Sequence, residues 1–284
     1  MKIRTWGCRG SIATPGPTTL RYGGNSTCLE IRSRTGQTII IDAGSGLRNL
    51  GSLLIREKET APIRFFFTHS HWDHLVGFPF FRPAYSEHFS IGLCNGPHAE
   101  DTILKSLNHQ MKSPFFPVDF RFLKARFEFR CERGHGEYGN CRCHGLEISQ
   151  TPLNHPDGGY GYKFMENGKT FVFLPDNELG FRHETGLSRE QYVEFCQGAD
   201  LLFHDAQYTE EEYTRARGWG HSTFGEAVDL GLEARVKCLV LFHHDPDRTD
   251  EDLDRQVQWC RERIRMAGSA MRCYAAEEGT TIEL

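Results

Sequence analysis

No stretch of this 284-residue chain approaches the ~20 consecutive apolar residues that a bilayer-spanning helix needs. The opening residues, Met1-Lys2-Ile3-Arg4-Thr5-Trp6-Gly7, lack the apolar block of a secretion leader, so a cytoplasmic protein is expected. Neither sign of charge dominates: 33 Lys and Arg face 38 Asp and Glu, a formal charge of −5. That balance argues against wholesale coating of nucleic acid, while leaving room for a local basic patch. No linker rich in Pro, Gly and Ser divides the chain, and no short-period repeat appears, so one large α/β domain over residues 1–284 is expected. Cysteine is plentiful, at ten residues, but scattered. Cys28, Cys94, Cys196, Cys238 and Cys260 sit among apolar neighbours and read as reduced core residues.

What is present is a series of apolar runs, each closed by a polar residue. Thr38-Ile39-Ile40-Ile41 ends at Asp42, and Ile63-Arg64-Phe65-Phe66-Phe67 ends at Thr68-His69. Thr170 to Leu174 leads to Asp176, Asp200 to Phe203 leads to His204-Asp205, and Cys238 to Phe242 leads to His243. Continuous apolar runs of this length fit buried strands. Between them, Ser188-x-x-Gln191 and Thr223-x-x-Glu226 are capping-box signals for helices. Further helices are expected from Thr249 or Asp250 onward and over Glu100 to Met111. Strands alternating with amphipathic helices imply stacked sheets covered by helices.

The densest chemistry lies in Thr68-His69-Ser70-His71-Trp72-Asp73-His74, with three imidazoles and a carboxylate in six positions. Zinc and similar cations take such nitrogen and oxygen ligands. Leu153-Asn154-His155-Pro156 supplies another histidine, and two strand ends supply Asp176 and His243. An isolated histidine is more often structural than a ligand, but these five histidines and two aspartates all fall at strand ends or the turn after one. They sort into His69, His71 and His155 on one ion and Asp73, His74 and His243 on a second, with Asp176 bridging.

The pattern His-x-His-x-Asp-His, a distant His, an Asp at a strand end and a last His resembles the metallo-β-lactamase superfamily. The resemblance runs from about Thr5 to the C-terminus. It implies a four-layer αββα sandwich, a dinuclear zinc hydrolase with manganese or iron as alternatives, and a homodimer. His71, where the flavodiiron branch has glutamate, argues against that branch. Gly220-His221-Ser222-Thr223 and Leu202-Phe203-His204-Asp205-Ala206-Gln207 are similar to motifs of the phosphodiesterase branch that includes ribonuclease Z. Uncharacterised bacterial metal-dependent hydrolases also carry Gly7-Cys8-Arg9-Gly10-Ser11, Tyr22-Gly23-Gly24-Asn25 and Phe242-His243-His244-Asp245-Pro246.

Two zinc ions roughly 3.5–4 Å apart would lower the pKa of a bridging water for in-line attack on a phosphodiester. Asp73 is assigned to bind metal and orient the nucleophile, His221 to protonate the departing oxygen, and Asp205 to hold His221. A histidine bonded to nearby backbone at a helix start is the structural alternative for His221. His204 stands evenly between structural and functional roles, and His244 is expected behind the site. With no Gly/Pro-rich RNA-gripping arm evident, small or cyclic phosphodiesters are the expected substrates. A ribonuclease Z-like nuclease and a non-catalytic metal-binding sensor are the alternatives, so nucleic acid stays open as a partner; no membrane partner is expected.

The stretch from about 112 to 147 reads as an insert. Its Cys131, His135, Cys141, Cys143 and His144 are either a small structural zinc site or a reduced loop. Its Phe115, Phe116, Phe120 and Phe122 could stack on a nucleobase, line a pocket or form a dimer contact.

Overall fold

The computed structural model describes residues 1–94, 99–128, 141–143 and 145–284. Seven strands form a first sheet: β1 (Lys2–Gly7), β2 (Cys28–Arg32), β3 (Thr38–Ile41), β4 (Ile63–Phe66), β5 (Ser90–Cys94) and β6 (Arg126–Glu128), with a last strand from the C-terminus. The second sheet contains β7 (Cys141–Cys143), β8 (Leu146–Pro152), β9 (Tyr160–Glu166), β10 (Lys169–Leu174), β11 (Leu201–Asp205), β12 (Cys238–Phe242) and β13 (Arg272–Ala275). β14 (Thr281–Glu283) then returns to the first sheet beside β1, giving the order β14-β1-β2-β3-β4-β5-β6. The second sheet runs β13-β12-β11-β10-β9-β8-β7. Both follow one plan: antiparallel pairing up to β3 or β10, then parallel pairing outward to β6 or β13.

Side-chain alternation makes the layers. On β3, Ile39 and Ile41 enter the apolar layer between the sheets, while Ile40 points to the helices outside. On β12, Cys238, Val240 and Phe242 face inward, and Leu239 and Leu241 face outward. Aromatic rings fill the inner layer, with Phe171 edge-on to Phe203 at 5.4 Å and Phe173 to Phe242 at 5.2 Å. Each such buried side chain contributes about 1.5–3 kcal/mol.

Helices α1 (Leu47–Glu57) and α3 (Ala99–Gln110) cover the first sheet, with the single turn α2 (Trp72–Leu75) between them in sequence. The second sheet is covered by α4 (Arg189–Cys196), α6 (Phe224–Glu233) and α7 (Asp250–Met266), while α5 (Glu210–Ala216) precedes α6. The result is the four-layer αββα sandwich. Capping boxes open α4, α5, α6 and α7 from Ser188, Thr209, Thr223 and Thr249. No described helix is long and apolar enough to cross a membrane. Cys28, Cys94, Cys196, Cys238 and Cys260 are buried free thiols. The side chains of the expected Cys131, His135, Cys141, Cys143 and His144 set lie outside the described residues. The ends of that stretch extend both sheets, as β6 and β7.

Because β1, β3, β4, β8, β10, β11 and β12 run in matching directions within their sheets, the loops at their C-terminal ends converge on one edge of the sandwich. That edge carries the chemistry-bearing residues.

Candidate metal centre

Three parallel strands end in a residue with positive φ: Asp42 at 60°, Asp176 at 47° and His243 at 61°. Non-glycine residues adopt this region at a cost of about 1–3 kcal/mol, and such strain concentrates at functional sites. After β4, the chain passes Thr68 and His69 and enters α2, which has His71 at its N-cap and buries Asp73 and His74.

Two clusters result. His69, His71, His155 and Asp176 form one, and Asp73, His74, Asp176 and His243 the other; in each, the potential ligand atoms lie within 4.8 Å of one another. Asp176 belongs to both. Its Oδ1 lies 3.2 Å from His74 Nε2, and its Oδ2 lies 3.1 Å from His243 Nε2 and 3.7 Å from His69 Nε2. Asp73 Oδ2 is 3.2 Å from both His74 Nε2 and His243 Nε2. His71 turns Nδ1 inward, 3.1 Å from His155 Nε2.

The donor set fits divalent cations for a reason visible in the hydrogen bonds. His74 Nδ1 donates to Asp42 Oδ2 at 2.8 Å, His155 Nδ1 to the Gly220 carbonyl at 3.0 Å, and His243 Nδ1 to Gln207 Oε1 at 3.0 Å. Each outer partner is an acceptor, so each ring in its neutral form presents a lone pair on Nε2 to the centre. His69 Nε2, His74 Nε2 and Asp176 Oδ1 are buried there without a hydrogen-bond partner. Lone pairs and carboxylates facing one another need positive charge between them.

The carboxylates of the centre draw positive charge onto the imidazoles nearest them. Burial alone would push the His243 imidazole down, but Asp176 and Asp73 override it and hold the pKa up at about 10. His74 is likewise held well above its ordinary value against burial by Asp73, Asp176 and Asp42. His155, where burial prevails over Asp176, falls to about 4. Burial and the neighbouring His74 hold His69 well below the ordinary imidazole range. Asp73 and Asp176 stay well below the usual carboxylate range despite burial, because of the imidazoles around them.

His221 lies beside this centre. Its Nδ1 donates to Asp205 Oδ2 at 2.7 Å, which leaves Nε2 for a ligand. The ring stacks on His243 at 4.8 Å and lies 5.3 Å from His155. Asp205 is itself held by the backbone N–H groups of Gln207 and Ser222, each at 3.2 Å. His204 is turned away: Nδ1 donates to the Asp205 carbonyl at 2.6 Å and Nε2 accepts from Asn177 Nδ2 at 3.2 Å. Both ring nitrogens of His204 are therefore taken up by protein partners. His244 is buried, with Nε2 donating to the Ala276 carbonyl at 2.9 Å, and burial and Arg9 lower it to about 3.

Several supporting residues carried no assigned task on sequence grounds. Asp42 is marked only as a strand-end carboxylate, yet it also accepts from Thr68 N and Oγ1, both at 2.8 Å. Glu178 is buried and accepts four hydrogen bonds, from Tyr213 Oη, Gly218 N, His183 Nε2 and Gly220 N. The Ser11 N–H donates to Asp73 Oδ2 at 2.9 Å. Gly10 and Gly220 are demanded by close approach: a Cβ would stand 2.3 Å from His243 Nδ1 and 2.0 Å from His155 Nδ1, respectively. Gly10, Ser11 and Gly220 fall in motifs quoted above and Asp42 at a strand end, but nothing in the local sequence shows the contact each one makes.

Residues 37–244 match the family model described as the beta-lactamase superfamily domain. The chain belongs to that superfamily. It has the metallo-β-lactamase fold with candidate divalent-metal ligands. Among its relatives, ribonuclease Z of Gemmatimonas aurantiaca is 24% identical, over 89% of this chain and 88% of the relative. Ribonuclease Z of Brevibacillus brevis is 40% identical over 90 residues, a match spanning 31% of this chain and 28% of the relative's length. Among solved structures, the metallo-β-lactamase fold protein YhfI from Bacillus subtilis has a TM-score of 0.68 at 16% identity, covering 100% of this chain and 99% of that one. A diphosphatase from the PhnP family has a TM-score of 0.66 at 18% identity, covering 100% and 97%.

Proposed function

We propose that this protein is a dinuclear zinc-dependent phosphodiesterase acting on small or cyclic phosphodiesters. The supporting observation is the pair of four-residue clusters sharing Asp176, with the Asp205-held imidazole of His221 alongside. His69, His71 and His155 would hold one ion, Asp73, His74 and His243 the other, and Asp176 both. Bound divalent cations supply an activated water and neutralise charge on phosphoryl oxygens. Asp73, fixed by the Ser11 N–H, orients the nucleophile. His221, with Nδ1–H donating to Asp205, acts in its imidazolium form and gives its Nε2 proton to the departing oxygen.

Metal analysis of the purified protein, combined with a panel of phosphodiesters, cyclic nucleotides, thioesters and lactones, tests this. Two equivalents of metal and turnover confined to phosphodiesters are expected. His221→Ala should retain the metal and lose about 10²–10⁴-fold in diesterase kcat; unchanged turnover at full metal content would remove His221 from the reaction. A ribonuclease Z-like nuclease is the second proposal, favoured by the relative that matches 89% of the chain. Cleavage of RNA with steeply salt-dependent binding, in place of small-diester turnover, would select it.

A further inference from the structure

A cleft of about 590 Å³ opens beside the loop that carries His69, His71 and Asp73. Ser70 and Trp72, which alternate with those residues in the chain, line it. The cleft and three candidate metal ligands therefore share one loop, each ligand one residue from Ser70 or Trp72 in the chain. One wall is aromatic, made by Trp72, Phe80, Phe115 and Phe116. The rings of Phe80 and Phe116 meet edge to face at 5.5 Å. Trp72, Phe80 and Phe115 are 75%, 53% and 60% exposed, so this wall is a surface rather than core.

The other wall is polar and comes from α3, through Lys105, His109 and Gln110. Gln110 Nε2 donates to the Leu75 carbonyl at 3.0 Å, which fixes the amide and leaves its oxygen as an acceptor. His109 packs against Phe115 at 5.4 Å. The four phenylalanines of this stretch divide accordingly. Phe120 is in the core, stacked on Phe78 at 5.9 Å, and Phe122 lies under Arg121, whereas Phe115 and Phe116 face the cleft.

A flat heterocycle has both features these walls would recognise, a π face and a hydrogen-bonding edge. An acyl chain would make no use of the Gln110 amide oxygen or the His109 ring, and a bare sugar would leave the aromatic rings uncovered. The volume falls in the range of sites for small molecules, roughly 300–1,000 Å³. We propose that this cleft receives the nucleobase of a nucleotide diester and so sets its phosphate at the metal ligands. The proposal rests on the phosphodiesterase function and narrows its substrate class to nucleotides.

Calorimetric titration of the zinc-loaded protein with AMP and with ribose phosphate isolates the base, since both probes carry the phosphate. AMP should bind about tenfold tighter. Phe116→Ala and Phe115→Ala should bring the two affinities together, and Phe116→Tyr should keep them apart. In turnover, the preference for the p-nitrophenyl ester of thymidine monophosphate over methyl p-nitrophenyl phosphate should fall about tenfold in Phe116→Ala. Equal affinity of the wild type for AMP and ribose phosphate, or a preference untouched by both alanine variants, overturns the proposal. Equal affinity together with a concentration-dependent dimer lost in Phe80→Ala assigns the cleft to a second copy of the chain instead. Selective AMP binding with neither diester hydrolysed upholds the base cleft while the phosphodiesterase function fails.

Discussion

Asp42 shows how a residue outside the two clusters governs them. Its carboxylate is buried completely and accepts from His74 Nδ1 at 2.8 Å and from Thr68, whose Oγ1 is the more distant alternative for His74 Nδ1 at 3.2 Å. Asp42→Ala should weaken metal affinity about 10–100-fold, measured by competition with a chromophoric chelator. Affinity equal to wild type would mean that His74 is oriented without Asp42, by packing and Thr68 Oγ1. The dense His and Asp positions were legible because ligand chemistry needs rare residue types close together at strand ends. Asp42, Gln207 and Ser11 were not, because a single acceptor or a backbone N–H leaves no compositional trace. The same holds for Gly10, whose requirement arises from a ring of His243 far away in the chain.

Among the elements, strands ending in Asp42, His69, Asp176, Asp205 and His243 were readable from apolar runs and their polar stops. Ser188 and Thr223 marked α4 and α6 through their capping boxes. α1 gave no comparable sign: its N-cap is Gly46, with no side-chain cap, and it is held by burying Leu47, Leu50 and Leu54 on the first sheet. The loop from Gly218 to His221 depends on Glu178, whose two oxygens accept from Gly218 N and Gly220 N, both at 2.7 Å. In Glu178→Gln one oxygen becomes a donor facing donors, which should cost about 1–3 kcal/mol per stranded bond. A lower melting temperature and a reduced diesterase kcat, with the fold retained by circular dichroism, are expected. An unchanged melting temperature would show that the loop stands without this carboxylate.

Over the whole molecule, the two sheets are joined by the aromatic layer between them. Phe171 contacts Phe164, Phe173 and Phe203 in that layer and is fully buried. Phe171→Ala should lower stability by about 3–5 kcal/mol, read as an earlier urea midpoint at unchanged slope. A loss below 1 kcal/mol would mean the sheets close over the gap. Because the ligands come from both sheets, bound metal should also clamp them: at a thousandfold excess over Kd the gain is about 4 kcal/mol. Removing metal with a chelator should therefore lower the melting temperature, and no change would argue that the clusters hold no ion in the folded state. The amino-acid order by itself determined the strands that end at the site (β3, β4, β10, β11 and β12), helices α3, α4, α6 and α7 and the inventory of metal-binding side chains, since local periodicity and residue chemistry are written along the chain. Which nitrogen each imidazole turns inward, which carboxylate sits between the clusters, and which phenylalanines face the cleft were decided only by tertiary structure. Those choices depend on contacts between residues as far apart as Asp73 and His243, brought within 3.2 Å by the packing of two sheets.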